Sequence, residues 1–169
     1  MAATTGNNQQ CDTVVALSRS EEKQGRLKEL GATFAFNPED PPWRTEVKAA
    51  LNSRGVNLAV DNIGGKLLPE VIDTMGELGR ISLVGELAGP VPNFDTGTLF
   101  SRRLRLELWR WATYTPEETR TVWQELLSVM ARSGARPIVD RAFPFEQLPQ
   151  GFERLAEEPM GKVLVKVRP

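Results

Sequence analysis

Four residues in one short stretch have the chemistry to hold a phosphate: Ser18, Arg19 and Ser20, with Lys23 about one turn further on. A guanidinium grips phosphate bidentately, hydroxyls donate to it, and an ammonium adds a point charge. The same residues also make an ordinary helix start, with Ser20 as N-cap and Glu21 and Glu22 in the first turn. Glycines form a second group. Gly64-Gly65 and Gly85 stand where apolar runs end, and such a glycine either reverses the chain or lets backbone approach a ligand. Asp61, just before the first of these turns, is a turn cap or a catalytic carboxylate. Arg102, Arg103 and Arg105 make a basic patch or the charged edge of a sheet. Trp109, Trp111 and Tyr114 line a pocket or pack under the helix that follows them.

Absences narrow the chemistry further. The 169 residues include no His and one cysteine, Cys11. Imidazole general-base catalysis, Ser-His-Asp triads and HExxH zinc sites are thereby excluded. One thiol closes no intrachain disulfide and builds no cysteine-rich zinc site. The expectation is therefore no metal, and a reducing, cytoplasmic compartment. Lys and Arg number 21 against 22 Asp and Glu, which leaves no global field to gather nucleic acid or an anionic membrane. No apolar run approaches the roughly 18 residues that a bilayer span needs, and the first residues lack the basic start and apolar stretch of a signal peptide. Neither GxGxxG nor GxxxxGK occurs.

The elements that must position these residues follow from apolar periodicity. Residues 1–12 are polar without a period and are expected to be a flexible arm. Short β-type runs occupy 13–17 and 33–36, with a helix between them from the Ser20 cap to Leu30, where Gly31 supplies the left-handed C′ residue. Trp43, Val47, Ala50 and Leu51 share a helix face. A strand over 56–60 ends at Asp61. Leu67, Leu68, Val71, Ile72 and Met75 form a second helical stripe, closed by Gly76 and Gly79. Strands over 80–85 and 104–108 follow. Pro116 opens a long helix marked by Val122, Leu126, Leu127 and Met130. The last elements are an extended stretch at 137–143, a helix at 146–157 and a strand at 162–167. Strands alternating with helices in this way imply an α/β fold with a mostly parallel sheet and helices on both faces. Ligands of such sheets sit outside the carboxyl ends of the strands.

In order and spacing, Ser18 to Lys23, Leu30-Gly31-Ala32, the run from Gly55 to Gly65 and the run from Gly79 to Gly85 resemble one family. It is the cofactor domain of the zinc-independent, quinone-oxidoreductase-like medium-chain dehydrogenase/reductases. Gly134, Pro137, Ile138, Phe143 to Glu146 and Gly161 to Leu164 resemble that family's C-terminal segment. The resemblance implies a Rossmann-like fold, truncated at its first strand: the substrate domain and the strand and helix with the glycine fingerprint have no counterpart in this sequence. It divides the chain into the arm at 1–12, a partial dinucleotide-binding domain at 13–135, and a segment at 136–169 that returns to the substrate domain. In the family's sheet the lost strand is central. The gap is expected to be closed by residues 1–12, by rearrangement, or by another chain.

The resemblance also implies a cofactor. A strand ending in Asp or Glu binds a ribose 2′-hydroxyl and repels a 2′-phosphate. Here that position reads Ser18-Arg19-Ser20 with Lys23, which favours NADP over NAD. Gly64, Gly65 and Gly85 would let backbone approach the dinucleotide. Hydride transfer to a quinone or an activated carbonyl or alkene is the implied reaction, and a homodimer the implied assembly. No catalytic residue is identified, and a non-catalytic, self-associating module is the alternative.

Overall fold

The computed structural model describes residues 2–4, 13–90 and 95–168. Two compact units make up the chain, Met1–Ala112 and Thr113–Pro169. In the first unit, six strands among the described residues form one sheet: β1 (Ala2–Thr4), β2 (Val15–Leu17), β3 (Phe34–Phe36), β4 (Val56–Asp61), β5 (Met75–Leu83) and β6 (Arg105–Leu108), in the spatial order β3-β2-β1-β4-β5-β6. The β2/β3, β4/β5 and β5/β6 pairs are parallel, while β1 is antiparallel to both neighbours.

Helices α1 (Glu21–Glu29), α2 (Trp43–Ala50) and α3 (Leu67–Thr74) connect these strands. The chain passes from β2 to β3 in one direction along the sheet and from β3 to β4 and β5 in the other. Right-handed crossovers therefore set α1 on one face and α2 and α3 on the opposite one. The core lies under α2 and α3. Trp43, Val47, Leu51, Leu68, Val71 and Ile72 pack on Val56, Ala59, Ile81 and Leu83. Helix α1 contributes no buried residue. A short helix, α4 (Thr96–Ser101), precedes β6.

The second unit holds α5 (Pro116–Ser133), β7 (Val139–Pro144), α6 (Leu148–Ala156) and β8 (Lys162–Lys166). A capping box starts α5: Thr115 accepts from the Glu118 amide, and Glu118 reaches back to the Thr115 amide. Gly134 at φ 69° ends it. β7 and β8 form a parallel two-stranded sheet of their own, tied to α6 by the guanidinium of Arg154, which donates to both carboxylate oxygens of Asp140 at 2.8 and 2.7 Å.

Two expectations are corrected by this architecture. The arm expected over 1–12 contributes a strand, because the gap between β2 and β4 offers two rows of unpaired backbone groups and Ala2–Thr4 pairs with both. The strand expected over 80–85 runs instead over Met75–Leu83, and Gly85 lies beyond its end. Its register slips from Val56↔Met75 to Leu58↔Arg80, so the intervening residues bulge. They sit hard against the preceding loop: a Cβ on Gly55 would fall 2.5 Å from the Gly76 backbone. The last two strands form a sheet of their own, and α5 groups with β7, α6 and β8 in the compact unit that begins at Thr113.

Candidate functional site

The carboxyl end of β2 runs directly into α1. Ser20 is the N-cap, its hydroxyl accepting from the Lys23 amide at 3.3 Å. The Ser18 hydroxyl accepts from the Ser20 amide at 3.3 Å, and the Gln24 side chain donates to the Ser18 carbonyl at 2.8 Å. The Ser20 hydroxyl is thereby used as an acceptor and can still donate to an anion, while the Ser18 hydroxyl also donates, at 3.5 Å, to the Ser20 carbonyl. Arg19 reaches out of this turn with its side chain 60% exposed, and its Nη1 lies 3.8 Å from Oε1 of Glu39. Hydroxyls, a guanidinium and the amides of a nine-residue helix N-terminus converge here, a combination suited to a phosphate.

The carboxyl ends of β4 and β5 form the second group. Asp61 is fully buried, and its Oδ1 accepts from the amides of Ile63 at 2.7 Å and Gly64 at 3.1 Å. It is a turn cap, as one of its two sequence interpretations holds. Its Oδ2 has no hydrogen-bond partner among the described residues. The turn it braces is zipped to the stretch after β5. Gly65 donates to the Gly89 carbonyl at 3.0 Å and Ala88 to the Ile63 carbonyl at 2.8 Å. Gly65 has φ +55°, and a Cβ there would lie 2.9 Å from both Cβ and O of Ala88. Loop-on-loop packing alone therefore demands this glycine.

Both groups stand on the same edge of the sheet, because β2 and β4 run in the same direction. They are separated by β1, that is, by two strand spacings or about 10 Å. The structure thus brings Ser18, Arg19, Ser20 and Lys23 together, and separately Gly64, Gly65 and Gly85. Glu39 is the neighbour that sequence spacing does not reveal, since it arrives through the pairing of β2 with β3.

Within the arginine patch, Arg102 has a structural role. Arg102 Nη1 donates to the carbonyls of Asp73 and Met75, both at 3.1 Å, closing the end of α3. Glu107 in β6 pairs with Arg80 on the adjacent strand, not with its own neighbours. Trp109 is half exposed. Cys11 and the side chain of Trp111 lie outside the described residues.

A mostly parallel sheet that reverses its winding belongs to a sequence that the profile of the zinc-binding dehydrogenases matches over residues 1–131. The chain belongs to that family. A zinc-type alcohol dehydrogenase-like protein of Schizosaccharomyces pombe is 27% identical over 160 residues, covering 91% of this chain and 44% of its own length. Quinone oxidoreductase-like protein 2 of Mus musculus is 24% identical over 159 residues, covering 92% and 45%. Among solved structures, an NAD-dependent alcohol dehydrogenase superposes with a TM-score of 0.76 at 26% identity, over 91% of this chain and 43% of that one. A mycobacterial protein in complex with NADPH gives 0.74 at 22%, over 89% and 49%, which shows the shared fold. The chain spans less than half the length of these relatives.

The sequence has no His, and no group of three or more Cys, Asp or Glu that could hold an ion occurs among the described residues. No helix among them is long and apolar enough to cross a membrane.

Proposed function

We propose that this chain is the cofactor-binding part of an NADP(H)-dependent oxidoreductase that works without zinc in the cytoplasm and self-associates as a dimer. The observation behind this reading is the cluster at the β2–α1 junction. Arg19 and Lys23 supply cations, Ser18 and Ser20 supply hydroxyls, and the α1 amides add a positive terminus. These residues would hold the 2′-phosphate, and backbone at Gly64, Gly65 and Gly85 would face the rest of the dinucleotide. When bound, the cofactor supplies a hydride for a quinone or an activated carbonyl or alkene. The chain's own part is to bind and orient it.

Relatives support both the reaction class and the cofactor: one is quinone oxidoreductase-like, and one neighbour was solved with NADPH. A second reading is favoured by β1. A three-residue antiparallel strand fills the centre of the sheet, where a dinucleotide fold places its phosphate-binding turn. On that reading the chain is a non-catalytic interaction module.

Fluorescence titration with NADPH and NADH separates the two. A charge-assisted phosphate contact is worth about 1.5–3 kcal/mol, or tenfold and more in affinity. NADPH should therefore bind at least about tenfold more tightly than NADH, and Arg19→Asp should erase the difference. Equal affinities in the parent remove the NADP assignment, and no binding of either supports the module.

A further inference from the structure

We infer that Glu39 is a specificity-determining residue, whose carboxylate competes with the 2′-phosphate of NADPH for the Arg19 guanidinium; this rests on the NADP reading above. β2 and β3 pair in parallel with Leu17 opposite Phe36, and the Ser18 amide donates to the Phe36 carbonyl at 3.0 Å. The segments leaving the two strands therefore emerge side by side. Arg19 is on one and Glu39 on the other.

The backbone at Glu39 is held in a closed turn. Asn37 accepts from the Glu39 amide at 3.0 Å and donates to the Asp40 carboxylate at 3.1 Å. The Asp40 amide closes the turn on the Asn37 carbonyl at 3.2 Å. Pro38, Pro41 and Pro42 restrict the backbone on either side, and the turn ends on Trp43, which is 2% exposed. The carboxylate is thus presented to Arg19 from a braced turn, at 3.8 Å.

A phosphate on Arg19 must use the same fork of N–H groups, and it would sit within a few ångströms of a like charge. NADH carries a 2′-hydroxyl at that position, which requires no guanidinium and can donate to a carboxylate. Glu39 therefore weighs against NADPH and not against NADH, so that the preference due to Arg19 is held below its full value. Both side chains are more than half exposed, and exposed ion pairs are worth at most about fivefold in an equilibrium.

The test is fluorescence titration of the full chain with NADPH and with NADH, for the parent, Glu39→Gln, Arg19→Ala and the double variant. Glu39→Gln should tighten NADPH about three- to fivefold, leave NADH no tighter, and give no gain once Arg19 is removed. A gain for both dinucleotides, a gain that persists without Arg19, or no gain overturns the role of Glu39. If NADPH is still preferred in the last case, the NADP reading stands and only the inference about Glu39 falls. If neither the parent nor Glu39→Gln binds either dinucleotide, both fall.

Discussion

A fully buried carboxylate is held in place by what it accepts, and Asp61 accepts two backbone amides through one oxygen. Hydrogen bonds to a charged acceptor contribute about 1.5–3 kcal/mol each, and an amide stranded in the interior costs a further amount of similar size. Asp61→Ala should therefore lose about 3 kcal/mol in urea unfolding. Asp61→Asn, which keeps the accepting oxygen, should lose distinctly less. Equal stability of Asp61→Ala and the parent would show that the 62–65 turn holds itself without the cap. Both Asp61 and Ser20 were legible as caps because the groups they serve are two and three residues away in sequence. Glu39 was not legible, because its closeness to Arg19 exists only once β2 and β3 pair across the intervening helix α1, for which residue type alone gives no sign.

At the scale of elements, the tie between β7 and α6 is electrostatic and should show in acid. Arg154 holds the Asp140 carboxyl below its ordinary range, chiefly by hydrogen bonding; burial opposes this, and the charges of Arg154 and then Arg141 add to the lowering. A carboxyl whose folded value is depressed contributes stability above its unfolded value, about pH 3.9, and loses it as pH falls through the lower folded value. In thermal unfolding between pH 2 and 6, the parent should outlast Asp140→Asn near pH 6, and the difference should close towards pH 2. A difference independent of pH would assign the role of Asp140 to shape, not charge. Helices α2 and α5 were readable because each carries a local signal, the Trp43–Val47–Leu51 stripe for α2 and Pro116 with the Val122–Leu126–Met130 stripe for α5, whereas the short α4 was not. The early start of β5 was not readable either, since it depends on Gly76 meeting Gly55 backbone to backbone. The pairing of β7 with β8 was equally hidden, because apolar runs do not say which strand pairs with which.

For the whole molecule, the decisive element is the smallest. β1 has three residues, in a polar segment without alternation, and nothing in Ala-Ala-Thr announces a central strand. It is specified by the vacancy it fills: β2 and β4 are parallel strands that would otherwise each face a row of unpaired donors and acceptors. Its closure of the sheet removes the central gap as a reason for this chain to associate. Ala3 is paired with Val15 on one side and Ala59 on the other, and proline there removes a donor and clashes with the neighbouring strand. Ala3→Pro should reopen the slot, so that light scattering across a concentration series shows larger assemblies than the parent forms. Each unmade backbone bond costs about 1–3 kcal/mol, which sets a strong drive for another chain's strand to enter. Parent and Ala3→Pro with the same mass at every concentration would mean that the sheet interior is closed without Ala2–Thr4.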